Sequence, residues 1–248
     1  MACGCCKNKK WLYKLTKTAQ MVKATISADI VSSTALSVEE LAFLQSEIRQ
    51  FLEGLSEKSQ GRNWGRLFKG DSVEIFLLDP HEALRTALLL KTLVKKTFSW
   101  GKEANAKRDL FRKYGIRLAI GIGEMRTADQ KQDVLDGEAI YYSGRLLENQ
   151  PISDKGRISK KRTMLFACND EALSEQIDTL LGLLDVVLKK ATSIQSDIIY
   201  NKLLGKQEED IAKLLNIKQP TVNRHSNAIG WNAIESAVNY FEKLNFEQ

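Results

Sequence analysis

Long apolar runs are absent from this sequence of 248 residues. No stretch approaches the roughly 18 to 20 apolar residues that a membrane-spanning helix needs. The first residues also lack the roughly 7 to 15 residue apolar core of a secretory signal. Proline is scarce, with three residues in all, which argues against a proline-rich disordered linker. These absences predict a cytoplasmic globular protein with no transmembrane segment.

Cysteine and histidine are also too few for an obvious zinc site. Three of the four cysteines, Cys3, Cys5 and Cys6, lie at the N-terminus with no histidine nearby, so they form an incomplete zinc set. N-myristoylation needs glycine after the initiator methionine, and Ala2 stands there. Residues 1–23 carry six lysines and no acidic residue. We therefore expect a mobile basic tail with reactive thiols.

Positive charge is unevenly distributed along the chain. The net charge is +6, and residues 151–163 carry five basic residues against one acidic residue. By contrast, residues 192–248 carry six basic and seven acidic residues, a balance of 6 − 7 = −1. A basic surface favours nucleic acids or anionic ligands. Here the basic excess lies outside the C-terminal segment.

Hydrophobic periodicity predicts an alternating order of strands and helices. The order is βαββαβαβ, in which helices cover one face of a mixed sheet and leave the other face open. The predicted strands are 24–32, 64–68, 72–78, 116–123 and 163–167. The predicted helices are 37–55, 80–98, 138–147 and 170–190, with a further helix from about 194, and the predicted loops include a basic one at 102–113 and one that leads to Asp136.

This order is typical of an α/β (α+β) chain with a ferredoxin-like or palm-type domain. Four segments are expected. They are a tail at 1–23, the α+β domain at 24–168, a connecting helix at 169–191 and an all-α domain at 192–248.

Two carboxylates mark the open sheet face. Asp29 ends the first strand on its polar side, and Asp71 lies in the turn of the predicted hairpin. Clustered carboxylates without a cationic partner repel, so Mg²⁺ or Mn²⁺ is the expected counter-charge. The alternative is that Asp71 serves only as a turn residue. Gly121 and Gly123 leave space above the same face, either for a ligand cleft or for close packing of a neighbouring element.

Four segments in this order resemble the signature blocks of class III nucleotidyl cyclases, and more closely the bacterial SatD-like proteins with a C-terminal helix-turn-helix. They are SADIVSSTALS, FKGDSVEIF, IRLAIGIGE and DGEAIYYSGRLL. The resemblance implies a cyclase-like domain that binds a nucleotide, with Asp29 and Asp71 as ligands of two metal ions. It also implies Arg145 as the arginine that stabilises the transition state across a homodimer interface. A structural or solvated Arg145 is the alternative.

Other positions depart from the family pattern. Tyr141 stands where the ribose-orienting asparagine is expected, and Leu67 where the purine-binding lysine is expected. Val134 replaces the purine-binding aspartate, with Asp133 and Asp136 only nearby. We therefore expect binding of a nucleotide or another phosphorylated small molecule, and these departures argue against cyclisation of ATP.

The C-terminal segment KQEEDIAKLLNIKQPTVNRHSNA resembles bacterial helix-turn-helix motifs. A short helix at 207–215 precedes a turn at Asn216 and a second helix with Pro220 in its first turn. In such motifs the second helix enters the major groove of DNA. The expected base contacts are Gln219, Thr221, Asn223 and Arg224, with Lys218 on phosphate. The alternative is a helix pair that serves only in packing or protein contact.

Three functions remain open. The first is a DNA-binding regulator whose cyclase-like domain binds a nucleotide or mediates dimerisation. The second is a nucleotidyl cyclase or a related enzyme that makes a nucleotide signal under control of the C-terminal module. The third is a protein-interaction scaffold in which both sites are vestigial. The missing purine-binding residues favour the first over the second.

Overall fold

The structure is a computed structural model that describes residues 21–98, 106–149 and 162–246. The predicted tail, apart from its last three residues, and most of the basic loop at 151–163 therefore lie outside the described residues. Within these ranges no helix is both long enough and apolar enough to cross a membrane.

A five-stranded sheet forms the centre of the molecule, and its strand order is β2-β3-β1-β4-β7. The strands are β1 Lys23–Ile30, β2 Trp64–Phe68, β3 Ser72–Leu77, β4 Ile116–Gly123 and β7 Met164–Ala167. All neighbours pair antiparallel except β4 and β7, which are parallel. The order β1-α-β2-β3-α-β4 with this pairing is the ferredoxin-like arrangement, so the predicted α+β class is confirmed.

Nine helices occur among the described residues. They are α1 Val38–Lys58, α2 Ala83–Lys96, α3 Ala106–Tyr114, α4 Glu138–Glu148, α5 Glu171–Lys190, α6 Ser193–Leu203, α7 Glu208–Leu214, α8 Gln219–Ile229 and α9 Trp231–Phe241. Helix α1 begins with a capping box, in which the Ser37 side chain accepts from the N–H of Glu40 and the Glu40 side chain accepts from the N–H of Ser37. Helices α1 and α2 pack on the apolar face of the sheet, where Ile26, Ile75 and Ile120 are fully buried.

Three predictions about local structure were wrong. The segment predicted as a basic loop, 102–113, is helical from Ala106 onwards as part of α3, in which Phe111 and Tyr114 are buried. The loop before Asp136 contains a two-stranded hairpin, β5 Met125–Asp129 and β6 Val134–Gly137. The second sheet face is not open, because α4 covers part of it.

The hydrophobic core is continuous between the sheet and the C-terminal helices. One cluster of buried side chains contains Ile26 and Ile120 from the sheet together with Ile234 and Phe241 from α9. A smaller cluster of Ile198, Ile211, Ala212 and Val222 holds α6, α7 and α8 together. The C-terminal helices are therefore packed on the α+β part of the chain.

Candidate functional site

Helix α4 lies very close to β1 and β4. The Ser143 hydroxyl is 3.0 Å from Thr25 Oγ1 and 2.8 Å from Ser27 Oγ. A Cβ atom on Gly121 would lie 2.1 Å from the carbonyl oxygen of Ala139. Gly121 therefore permits close packing of a helix and does not form the floor of a ligand cleft. Of the two interpretations given above, the structure supports close packing.

Beyond the end of α4, Asp29 is paired with an arginine. In the sheet, Asp29 lies between Ser72 of β3 and Arg117 of β4. The Arg117 guanidinium donates to both carboxylate oxygens of Asp29, each at 2.8 Å. The Arg117 side chain is only 6% exposed. The assumption that the carboxylates lack a cationic partner is therefore wrong, since Arg117 supplies the counter-charge of Asp29.

Asp71 reaches the same end of β1, as its place in the hairpin predicts. Its carbonyl oxygen accepts from the N–H of Ile30 at 2.9 Å. Its carboxylate accepts from the Ser33 hydroxyl at 3.0 Å. Within 21–98, 106–149 and 162–246 no three His, Cys, Asp or Glu side chains cluster as metal ligands. The residues as arranged do not fit a Mg²⁺ or Mn²⁺ centre, because both oxygens of Asp29 are held by Arg117.

A cleft of about 550 Å³ opens beside the ion pair of Asp29 and Arg117. Strands β1 to β4 and α4 line it with Ser27, Asp29, Lys69, Glu74 and Arg117 among the polar side chains, and with Phe68, Val73 and Leu147 among the apolar ones. Glu74 is paired with Arg66 at 2.5 Å. The volume suits a small molecule, and the wall offers both signs of charge.

Arg145 does not line this cleft. Its exposed side chain lies on α4 with the guanidinium 5.9 Å from the centre of the Tyr141 ring, whereas Gly144, Leu147 and Glu148 line the cleft. The hydroxyl of Tyr141 donates to Asp136 at 2.5 Å, and this hydrogen bond raises the pKa of Tyr141. Within one chain, the structure therefore does not bring Arg145 together with Asp29 and Asp71.

The positions expected to bind a purine carry other interactions. Leu67 lies opposite Val73 in the sheet and packs against the core. Val134 is 39% exposed at the start of β6. The nearby acid Asp133 pairs with Arg66 at 2.8 Å, and Asp136 pairs with Arg126 at 3.3 Å. None of these side chains takes the place of a purine-binding pair in the cleft.

Helices α7 and α8 form a compact unit with α6. Asn216, in the turn between α7 and α8, has φ 52°, a left-handed conformation that asparagine tolerates better than most residues. Ile217 follows and packs against the small cluster under the helices. Pro220 lies in the first turn of α8, where its missing N–H costs nothing. The two predicted helices and their turn are therefore present.

The predicted DNA-contacting residues lie on the outer side of α8 or just before it. Lys218, Asn223 and Arg224 are exposed, and Gln219 and Thr221 are half-buried. The opposite side of α8 is buried through Val222, Ser226 and Ile229.

The amide groups of Gln219 and Asn223, two of the predicted DNA-contacting residues, both have hydrogen-bond partners within the protein. The Glu208 carboxylate of α7 accepts from Gln219 Nε2 at 2.8 Å and from Asn223 Nδ2 at 3.4 Å. Lys202 of α6 donates to the same carboxylate at 2.6 Å, and this hydrogen bond lowers the pKa of Glu208. Because a carboxylate only accepts, both amides must turn their nitrogens towards it. Glu208 thus fixes the orientation of both amide groups.

Arg117 and Glu208 are the residues that the sequence interpretation missed. Alternation along β4 places Arg117 on the same face as Gly121, and pairing of β4 with β1 would have placed it beside Asp29. Glu208 lies in the first turn of α7, where an acid is explained by the helix dipole alone. Only the packing of α7 against α8 reveals its contacts.

No family model matches the chain, and no curated protein matches it. A solved structure of a bacterial light-regulated adenylyl cyclase is 17% identical, with a TM-score of 0.36, and the match covers 59% of this chain. This chain spans 43% of that one. Similarity at this level carries no argument about activity.

Proposed function

We propose that the protein is a DNA-binding regulator of the SatD-like kind, which acts as a homodimer in the cytoplasm. In this proposal α8 contacts DNA, and the α+β part binds a nucleotide or another phosphorylated small molecule. The supporting observation is the placement of α8, whose inner side is held by α6 and α7 while Lys218, Asn223 and Arg224 are exposed. A helix held in this way can lie in the major groove.

The proposed contacts follow from side-chain chemistry. Arg224 suits the two acceptors of guanine, and the amides of Gln219 and Asn223 suit adenine once Glu208 releases or orients them. Lys218 precedes the helix and is assigned to phosphate. The acidic residues of α7 oppose DNA binding, so we expect additional phosphate contacts from basic segments elsewhere in the chain.

For the α+β part we propose the cleft beside Asp29 as the ligand site. Lys69 supplies positive charge there, and Ser27 and Ser72 supply hydroxyl groups. The metal-ligand role of Asp29 and Asp71 stays a prediction, and it requires Arg117 to leave Asp29. The role of Arg145 across a dimer interface also stays a prediction.

A second candidate function is a nucleotidyl cyclase or a related enzyme. It is favoured by the position of Asp29 and Asp71 at one end of β1. It can be tested by incubating the protein with each nucleoside triphosphate and Mn²⁺ or Mg²⁺, followed by chromatography of the nucleotides. Product formation that is lost in Asp29→Asn and Asp71→Asn would establish this function in place of the first.

The main proposal is tested by selection from a random pool of DNA duplexes with the full-length chain. We expect enrichment of a defined sequence, with half-sites about 10 base pairs apart if the protein is a dimer. Lys218→Ala should weaken binding to all sequences about equally and lower the salt slope by about one unit. A pool without enrichment would contradict DNA recognition by α8.

A further inference from the structure

A second cleft lies where α3, α5 and α6 meet, and it shares no residue with the cleft beside Asp29. Its volume is about 560 Å³, and it is lined by Lys95, Asp109, Arg112, Lys113, Lys189, Lys190, Ala191, Thr192 and Ser193. Five of these nine residues are basic and one is acidic. We call it the basic cleft.

The floor of the basic cleft is built by a buried lysine. Lys95 is 7% exposed. Its ammonium group donates to the carbonyl oxygens of Lys113 at 3.0 Å and Leu188 at 2.6 Å. These carbonyls belong to the ends of α3 and α5, so Lys95 ties the two helix ends together. The cleft is therefore a fixed feature of the packing.

The positive charge exceeds what the helix ends need. A helix C-terminus carries roughly half a negative charge, so the two helix ends together balance about one cation. Asp109 pairs with Arg112 at 3.1 Å, and Lys189 pairs with Asp185 at 2.9 Å. Lys113 and Lys190 add further charge at the same place. Like charges that line one cleft repel, and a bound anion would reduce this repulsion.

The third helix contributes uncharged donors. The Thr192 side chain caps α6 by accepting from the N–H of Gln195. The Thr192 N–H donates in return to the Gln195 side chain. The N–H groups of Ser193 and Ile194 have no partner within the helix, and Ser193 lies at the rim of the cleft. Helix N-termini and basic side chains together are the usual components of phosphate sites.

We propose that the basic cleft binds a small anion that carries phosphate groups. Arg112, Lys113 and Lys190 supply the charge, and the start of α6 supplies hydrogen-bond donors. The volume lies within the range of small-molecule sites, roughly 300 to 1,000 Å³, and this favours a free phosphorylated molecule over the backbone of a nucleic acid. The proposal does not depend on DNA binding by α8 or on the cleft beside Asp29.

The test is calorimetric titration of the full-length protein with inorganic pyrophosphate in the absence of divalent cations. In the double variant Lys113→Ala/Lys190→Ala we expect the dissociation constant to rise at least tenfold. The matched control is Lys131→Ala/Lys213→Ala, which removes the same charge from two exposed positions outside the cleft and should change the constant less than twofold. Lys190→Arg, which keeps the charge, should retain binding.

Two results would overturn the proposal. If the wild-type protein does not bind pyrophosphate, the proposal is wrong. If the two double variants lose affinity equally, the binding reflects only a general effect of charge, and the proposal is also wrong. A competition arm separates the sources of phosphate. If a DNA duplex displaces pyrophosphate and is itself weakened by the Lys113→Ala/Lys190→Ala variant, the cleft binds a nucleic acid backbone, and the small-molecule assignment is wrong.

Discussion

At the scale of single residues, the charge of Asp29 is balanced within the protein. Arg117 binds both of its oxygens and is itself almost fully buried. The position of Asp29 at the end of β1 could be predicted from alternation. Its partner was missed because pairing between β1 and β4 joins residues 88 positions apart, and sequence periodicity does not identify which strands are neighbours.

The Asp29–Arg117 pair can be tested with a double-mutant cycle. Asp29→Asn and Arg117→Met should each destabilise the fold, because each leaves one partner of a poorly solvated pair without its counter-charge. The double variant should lose less stability than the two single variants together, with a coupling free energy of about 1–3 kcal/mol. Urea denaturation gives the free energy of unfolding of the wild type and of the three variants. Additive losses would mean that the two side chains do not interact.

Two lysines of α2 are buried, which nothing in the sequence indicates. Lys91 is 1% exposed and donates to the carbonyl of Ile116 at 2.9 Å and to Thr163 Oγ1 at 2.8 Å. The carboxylate of Asp185 lies 3.6 Å from its ammonium group. Burial lowers the pKa of Lys91 to about 8 and, with the charge of Lys91, that of Lys95 to about 7.

Stability should therefore depend on pH through Lys95. The folded chain releases this proton near pH 7, whereas the unfolded chain holds it up to about 10.5. Unfolding thus takes up a proton between these values, so stability rises with pH across that window. In Lys95→Met this contribution is absent. The free energy of unfolding of the wild type, measured relative to Lys95→Met, should increase from pH 7 to pH 10. A constant difference would contradict the burial of a titrating lysine.

At the scale of elements, the position of α4 determines how much of the polar sheet face is accessible. Gly121 and Ser143 let the helix lie directly on β1 and β4, and the C-terminal end of α4 forms one wall of the cleft beside Asp29. The glycines were visible in the sequence. Their structural role could not be predicted, because a small residue leaves room equally for a ligand or for a helix.

Gly121→Ala should therefore destabilise the protein. The added methyl group would overlap the backbone of α4 at the Ala139 carbonyl, and such overpacking costs about 1–3 kcal/mol. Gly54→Ala in α1 is the matched control, since no atom lies within 4 Å of its added Cβ and alanine favours a helix. Thermal unfolding of both variants gives the comparison. Equal stability of the two would show that α4 does not pack as described.

Most elements were predictable where the periodicity was strong. Strand β4 has the predicted bounds, 116–123, because four branched apolar residues alternate along it. The hairpin of β5 and β6 was missed because its strands are short and only Gly137 in them is buried, so no apolar face marks them. Helix α3 was missed because basic residues surround its two buried aromatic residues, Phe111 and Tyr114.

At the scale of the whole molecule, the C-terminal helices are attached to the α+β part by several specific contacts. The Phe166 and Phe241 rings meet edge to face, with centres 5.9 Å apart. Arg85 donates to Glu242 at 2.6 Å, and a His81 ring nitrogen is 2.9 Å from the carbonyl oxygen of Leu244. The C-terminal helices are thus fixed to the α+β part through α9 and the residues that follow it.

The central claim, DNA recognition by α8, is tested most directly by comparing two affinities. These are the affinities of the full-length chain for a selected duplex and for an unrelated duplex at the same salt concentration. We expect a preference of roughly 10³-fold or more. Arg224→Ala should reduce the free-energy difference between the two duplexes by about 1–3 kcal/mol, while Lys131→Ala should leave this difference unchanged. Equal affinity for the two duplexes, or an unaltered preference in Arg224→Ala, would contradict the claim.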